Sequence, residues 1–308
     1  MSAPYYVDLA NRPDEAQAFW LKTPDAMRLR AAIWPGGDRG TVAILPGRTE
    51  YIEKYGHVAR KIRSLGFSAF AVDWRGQGLA TRPFGTTEVG HVDDYREYQT
   101  DLRILLADAR IAELPEPTHL LAHSMGGCIG LRALVEGTGG FSTATFSAPM
   151  WGLGIHPLAK VAGRIVGGLA IRLGQSRRRV IGQGPETYAT KAETSDNVLT
   201  SEGDMLDWIR SHVVARPELG LGGPSYGWLV SSLKETAALQ RRASPSTPTL
   251  TFLGSDESIV DPGAIRRRMD GWPEGSLTEL RGARHEILIE TPEIRQQVWQ
   301  KIAAHWNA

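Results

Sequence analysis

Leu121-Ala122-His123-Ser124-Met125-Gly126-Gly127 ends the apolar run Thr118 to Ala122 and opens a segment of helical period, Gly126 to Glu136. A serine at such a junction sits on a sharp turn, and the residues two before and two after it must be small if strand and helix are to pass closely. Gly126 meets that demand outright. Ala122 stands where glycine is usual, and a methyl group is the least bulk that replaces it. Taken alone, the stretch also fits a serine in an ordinary strand-to-helix turn, so the rest of the chain decides.

Working outward, short apolar runs bounded by Gly, Pro or Asp alternate with longer segments carrying apolar residues three and four apart, the pattern of a largely parallel sheet covered by helices. Thr41 to Leu45, Ser68 to Val72, Thr118 to Ala122, Thr143 to Phe146 and Pro248 to Leu253 read as buried strands, and Leu29 to Ile33 as an early hairpin strand. Helices are expected over Tyr51 to Leu65, Asp93 to Ala112, Gly126 to Glu136 and Glu293 to Ala304. The rhythm breaks between about Trp151 and Leu233, where no clear strand occurs. The expected organisation is therefore an α/β core made of 1–150 and 234–308, with 151–233 inserted as a mostly helical cap.

Composition sets limits on function. The 308 residues carry a net charge of +1, with 42% hydrophobic and 22% charged residues, which is not the profile of a polyelectrolyte that binds nucleic acid. The N-terminus lacks a basic segment followed by an apolar one, and no uninterrupted apolar run approaches the ~18 residues of a membrane span. The single cysteine, Cys128, forms no intramolecular disulfide and is expected to pack in the core of a cytoplasmic protein.

A serine hydroxyl needs a base to take its proton. His285, in Leu280-Arg281-Gly282-Ala283-Arg284-His285-Glu286, lies late in the chain just before the last helix, where small residues let a loop turn inward. His123 is expected to point away from the turn, and His91, His156 and His212 to be surface or cap residues. An acid that orients the base belongs after the strand ending at Leu253, in Gly254-Ser255-Asp256-Glu257-Ser258-Ile259-Val260-Asp261. Asp256, Glu257 and Asp261 compete for that place; resemblance to the loop usual in α/β-hydrolases, whose acid stands three residues after the glycine and two before an apolar pair, implies Glu257, with Asp256 the runner-up and Asp261 third. Two backbone N–H groups should stabilise a developing oxyanion: Met125 by position, and Arg48 in Leu45-Pro46-Gly47-Arg48-Thr49-Glu50-Tyr51, unless Pro46-Gly47 is only a turn.

These segments together, with Lys54-Tyr55 and Val72-Asp73-Trp74-Arg75-Gly76-Gln77-Gly78, resemble the α/β-hydrolase superfamily, and within it the lysophospholipase L2 and monoacylglycerol lipase-like group of serine aminopeptidase S33 type. The resemblance covers nearly the whole chain. It implies a nucleophile elbow at Ser124, the triad order serine, acid, histidine, and structural roles for Asp73, Arg75 and Gly76. Two departures stand out: Pro46 where many relatives have histidine, and Glu257 where most have aspartate. Neither removes a needed group, because the loop acts through its backbone and glutamate keeps the carboxylate.

The expected activity is hydrolysis of a carboxylic ester through an acyl-Ser124 intermediate, with a lysophospholipid or monoacylglycerol as substrate. Acyl transfer to another alcohol, or cleavage of small non-lipid esters, would use the same residues. A catalytically silent binding protein would need a broken triad, and none is visible. An aspartate-nucleophile hydrolase is disfavoured by serine at 124. No cofactor is expected, nor a metal, since no His/Asp/Glu cluster shows ligand spacing.

The insertion adds one more expectation. No acidic residue falls between Glu136 and Glu186, while Lys160, Arg164, Arg172, Arg177, Arg178 and Arg179 all do. Leu158, Val161, Ile165, Val166 and Leu169 interleave with the first of them at helical spacing. Two readings stay open: an amphipathic surface helix that rests on anionic lipid at the membrane periphery, or a helix whose apolar face packs on the sheet. Trp151, Trp208, Tyr226 and Trp228 are candidate pocket walls.

Overall fold

The structure, a computed structural model, describes residues 1–10, 16–191 and 197–307; parts of the N-terminal stretch (11–15) and of the expected insertion (192–196) lie outside the described residues. The chain runs β1 (Gln17–Lys22), β2 (Arg28–Trp34), β3 (Thr41–Leu45), α1 (Gly56–Ser64), β4 (Ser68–Asp73), α2 (Arg96–Leu106), α3 (Ala109–Ala112), β5 (Thr118–His123) and α4 (Met125–Val135). It continues through β6 (Thr143–Ser147), α5 (Pro157–Arg172), α6 (Tyr188–Lys191), α7 (Gly203–Ala215), α8 (Tyr226–Gln240), β7 (Thr249–Gly254), α9 (Pro262–Asp270), β8 (Gly275–Leu280) and α10 (Pro292–Trp306).

The eight strands form one sheet in the order β1-β2-β4-β3-β5-β6-β7-β8, antiparallel only where β2 meets β1 and β4. The five strands expected at its centre all form there, and each is buried almost throughout, as a sheet covered on both faces requires. Alternation sends Ala43, Leu45, Leu120, Ala122 and Phe146 to the layer holding α2, α4 and α9. Val42, Ile44, Leu121 and Phe252 go to the layer with α1 and α10. Each fully buried large apolar side chain contributes ~1.5–3 kcal/mol, so the two layers are the main source of stability. This is the α/β-hydrolase fold.

Several boundaries differ from the periodicity reading for local reasons. The helix expected from Tyr51 begins instead as a 3₁₀ turn, Ile52–Tyr55, that hands over to α1 at Gly56, where a Cβ would lie 2.2 Å from Ala10 O. The helix expected over 93–112 breaks at Asp108, whose side chain caps α3. Strands β1 and β8 were missed. Both are sheet edges: in β1 the large apolar Trp20 between the buried Phe19 and Leu21 masks the alternation in sequence, and β8 keeps only Leu280 buried.

Between β6 and β7 the regular elements of the described chain are all helices, joined by loops that carry isolated bridges. Here α8 runs through position 233 to Gln240 and packs on both α4 and α5. Helix α5 meets α8 through its glycines: a Cβ on Gly167 would stand 2.5 Å from Val230 Cγ2. That leaves the apolar residues facing outward, with Leu158 73%, Ile165 67% and Leu169 55% exposed. The sheet-packed reading of this helix is therefore corrected, because glycine rather than leucine supplies the buried face. Among the described residues no helix is long and apolar enough to cross a membrane.

Candidate active site

Ser124 joins β5 to α4 with φ 50 and ψ −117, a conformation that costs of the order of 1–3 kcal/mol in a residue with a side chain. Its own backbone is pinned: the Ser124 N–H donates to Ser147 O at 3.1 Å, and Ser124 O accepts from Met150 at 2.8 Å. The glycine after it is obligatory, since a Cβ on Gly126 would lie 2.0 Å from Leu45 O. Ala122 is accommodated by a second small residue, because its Cβ lies 3.4 Å from where a Cβ would stand on Gly130.

The loops after β7 and β8 are laced together. Ser255 N–H donates to Leu280 O at 2.9 Å, Asp256 N–H to Ala283 O at 3.0 Å, and Gly282 N–H to Ser255 Oγ at 2.8 Å. Gly282, at φ 75, permits the turn inward that its sequence context led us to expect. The result is a relay of two bonds: Ser124 Oγ lies 2.9 Å from His285 Nε2, and His285 Nδ1 lies 2.7 Å from Glu257 Oε2. All three residues are buried, Ser124 being 8% exposed. Burial alone would raise the Glu257 pKa, but the facing His285 and the N–H groups of Val260 and Ile259 hold it below the usual carboxylate range.

The competing acids go elsewhere. Asp256 is exposed and accepts from Ser255 Oγ, while Asp261 caps α9 and pairs with Lys160 at 2.9 Å. The segment Pro46 to Thr49 lies against the elbow, since a Cβ on Gly47 would be 3.1 Å from Ser124 Cβ. Trp74 Nε1 donates to Pro46 O at 2.9 Å and Gln77 Nε2 to Gly47 O at 2.9 Å, fixing that segment from the side. Among the described residues neither the Arg48 nor the Met125 N–H donates to a protein acceptor. Asp73 is structural: it accepts from Arg30 Nε, Ile52 N–H and Leu79 N–H, all at 2.8 Å. Arg75 is tied to Asp101, Glu97 and Asp25.

Residues 36–292 match the family model described as serine aminopeptidase, S33. The chain belongs to that family. A probable lysophospholipase L2 of Haemophilus influenzae is 27% identical to this S33-family hydrolase over 266 residues, covering 86% of this chain and 82% of that one. A monoacylglycerol lipase of Mycolicibacterium smegmatis is 30% identical over 275 residues, covering 86% and 88%. The crystal structure of a soluble variant of monoglyceride lipase from Saccharomyces cerevisiae shares the fold, with a TM-score of 0.75 at 21% identity and coverage of 99% of this chain and 98% of that one.

The hydrolase also buries a charged cluster that the sequence reading missed. Lys54 Nζ lies 2.5 Å from Glu50 Oε1 and 2.7 Å from Glu286 Oε1. Tyr55 donates to Glu50 Oε2 at 2.6 Å, and Glu50 Oε2 accepts from Gly47 N–H. His123 Nε2 is 3.5 Å from Glu286, its Nδ1 bonds Ser147 O at 3.0 Å, and its ring centroid lies 4.8 Å from that of His285. Burial opposes the charged form of Glu286, yet Lys54 and His123 hold its pKa well below the usual value. Three of its members lie close to a candidate site residue in sequence: Glu50 follows the Arg48 loop, His123 precedes Ser124, and Glu286 follows His285.

This cluster corrects the statement that no acidic and histidine residues come together with ligand spacing. The donor atoms of Glu50, His123 and Glu286 lie within 4.8 Å of one another. Lys54 Nζ, within bonding distance of both carboxylates, already supplies the positive charge there. Spacing along the chain hid the cluster because the three residues lie far apart in sequence, His123 at the end of β5 and Glu50 and Glu286 on two separate loops. Lys54→Met is expected to destabilise the fold by roughly 3–5 kcal/mol in urea unfolding, because it leaves two buried carboxylates facing each other. A loss below about 1 kcal/mol would show that the ion pairs contribute little.

Other expectations change in detail. His91 is buried and contacts Ser225 Oγ at 2.8 Å, and His212 is buried on α7 with Nδ1 3.1 Å from Tyr51 O–H. Trp151 is core, stacked on Trp272 and donating to Gly127 O at 3.0 Å, and it borders a small cavity shared with Lys160, Arg164 and Asp261. Trp208 packs edge-on against His57 and His212 and bonds Leu9 O. Tyr226 and Trp228 are buried at the start of α8. Cys128 is buried, as expected. Residues 197–200 hold the loop that carries His285: Glu286 N–H donates to Leu199 O at 2.7 Å, and Arg284 Nη1 to Asn197 O at 2.8 Å.

Proposed function

We propose that the chain hydrolyses lipid carboxylic esters with Ser124 as nucleophile, His285 as base and Glu257 as orienting acid. The unbroken relay from Ser124 Oγ through His285 to Glu257, at 2.9 Å and 2.7 Å, carries this reading. In the first step Ser124 Oγ bonds to the acyl carbon as its proton passes to His285 Nε2. The carbonyl oxygen becomes negative and faces the N–H groups of Arg48 and Met125. Collapse breaks the ester bond, and the leaving alcohol takes the proton from His285. Water then adds to the acyl-serine by the same route, releasing a fatty acid and restoring Ser124. Glu257 holds the imidazole in the tautomer that leaves Nε2 free to accept.

The named lysophospholipase and monoacylglycerol lipase relatives support a monoacyl lipid as substrate. The test is a panel of lysophospholipids, monoacylglycerols and short-chain esters, with product analysis in the presence and absence of an acceptor alcohol, alongside fluorophosphonate labelling. Fatty-acid release from a monoacyl lipid with labelling of the protein is the expected result. Transfer of the acyl group to the added alcohol in preference to water would make the chain an acyltransferase, and the absence of both labelling and cleavage would overturn the reading.

The helical segment of about 151–233 is assigned as a cap over the serine, and its α5 face as the part that meets an anionic phospholipid surface. The outward Leu158, Val161, Ile165 and Leu169, with the exposed Arg172, Arg177 and Arg178 nearby, fit an apolar, cationic patch to acyl chains and phosphate headgroups. Each basic residue near such a surface is worth ~1 kcal/mol, so Arg177→Gln with Arg178→Gln should weaken binding to phosphatidylglycerol vesicles about thirtyfold in cosedimentation. Binding that is equal on neutral and anionic vesicles, or unchanged in the variant, would remove the electrostatic part of this assignment.

A further inference from the structure

Between Pro46 and Glu50 the chain offers the N–H groups of Gly47, Arg48 and Thr49. Side chains take the first and the last of them: Glu50 Oε2 accepts from Gly47, and Gln77 Oε1 accepts from Thr49 at 3.3 Å. Two carbonyls of the same loop are held as well, Pro46 O by Trp74 Nε1 and Gly47 O by Gln77 Nε2, each at 2.9 Å. The Arg48 N–H finds no acceptor among the described residues. The loop therefore keeps one backbone donor in reserve.

Gln77 sets where that donor points. The C=O of Gly47 and the N–H of Arg48 belong to one planar trans peptide, so they face opposite ways. Fixing Gly47 O on Gln77 Nε2 thus fixes the direction of the Arg48 N–H, and the bond from Thr49 fixes the peptide that follows. One side-chain amide spans both. Only one orientation of it serves, with the NH₂ toward Gly47 O and the oxygen toward the Thr49 N–H. Thr49 stands at φ 69, a left-handed conformation that a β-branched residue disfavours, so the loop is strained where Gln77 holds it.

The anchor is itself rigid. Gln77 is buried in the turn after β4, between Gly76 at φ 79 and Gly78 at φ 50. Its own N–H donates to Trp74 O and its own C=O accepts from Ala80, both at 3.0 Å. A Cβ on Gly78 would stand 2.2 Å from Asp73 Oδ2, so that turn is closed to any side chain there. We propose that Gln77 is a positioning residue, whose amide orients the peptide between Gly47 and Arg48 so that the Arg48 N–H meets the oxyanion formed when Ser124 attacks. The inference rests on the esterase reading above and deepens it.

The test uses two variants. Gln77→Met keeps the length of the side chain and loses both bonds; Gln77→Glu keeps the acceptor for Thr49 and, when ionised, lacks the donor for Gly47 O. In Gln77→Met kcat should fall about tenfold or more, short of the ~10²–10³ that loss of an oxyanion donor costs, with KM within about twofold of wild type. The Ki of a trifluoromethyl ketone should rise by the same factor, because its oxygen becomes an oxyanion when Ser124 Oγ adds to the carbonyl carbon and the serine proton passes to His285. In Gln77→Glu the ratio of kcat to that of wild type should climb at least about threefold as the pH falls from about 9 to about 5.5, since a protonated carboxyl donates to Gly47 O again. In wild type, a readout that needs no variant to fold, the same ketone should move the Arg48 amide proton downfield in the NMR spectrum and leave that of Thr49 in place. A Gln77→Met kcat within about twofold of wild type, a flat ratio for Gln77→Glu, or a ketone that moves the Thr49 proton and not that of Arg48 overturns the role of Gln77 alone. A wild type that neither cleaves an ester nor takes a fluorophosphonate label overturns the esterase reading and this inference with it.

Discussion

Ser124→Ala should lower ester turnover by roughly a millionfold, to the level that binding and the backbone donors sustain alone, and should abolish fluorophosphonate labelling. The effect is expected to be this large because no neighbouring group can replace the hydroxyl. His123 turns its Nδ1 to Ser147 O, and Cys128 is buried within α4. The substitution should leave the fold intact or slightly stabilised, because alanine tolerates the turn at φ 50 no worse than serine and leaves no buried hydroxyl to satisfy. Mass spectrometry of the labelled wild-type peptide would place the adduct on residue 124. Labelling that persists in the variant would place the nucleophile elsewhere.

Glu257→Gln comes next in size, with an expected loss in kcat of roughly 10⁴. The amide keeps the shape and the bonds to the Ile259 and Val260 N–H groups if its oxygen takes the place of Oε1. It then presents an NH₂ to His285 Nδ1, which stabilises the tautomer with the proton on Nε2 and leaves Ser124 facing a donor. It also removes the negative charge that would stabilise the imidazolium. Asp256→Asn is expected to stay within about threefold of wild type, since that carboxylate is exposed and, among the described residues, bonded only to Ser255. If the asparagine variant alone loses turnover, the acid has been misassigned. The pH profile separates the two effects, because loss of the acid should also move the acidic limb of kcat/KM.

What could be read from the sequence follows the reach of each physical constraint. The elbow was legible because close passage of strand and helix restricts residues next to one another in the chain, and Gly126 displays that restriction locally. Glu257 and His285 were legible through order and loop position, although their 2.7 Å approach depends on bonds between two loops that no local pattern encodes. The Lys54 cluster was invisible for the same reason: its members are brought together only by folding. Strand β1 escaped because Trp20 stands between its buried Phe19 and Leu21, and β8 because only Leu280 is buried in it. The outward face of α5 could not be foreseen, since helical spacing of apolar residues is the same whether they meet a sheet or open solvent. Only the glycines on its other side, read against α8, reveal the direction.

The bonds from residues 197–200 to Arg284 and Glu286 have a consequence for anyone recombining this chain with its relatives. Substrate-binding lids are attractive units for exchange, on the premise that a lid shapes selectivity while the catalytic platform stands unaided. Here the seat of the histidine is built partly from the segment between β6 and β7. A chimera that trades the whole segment between β6 and β7 would carry away the carbonyls on which that seat depends, and would change reactivity together with preference. Grafts joined on either side of 197–201 keep the two properties separable.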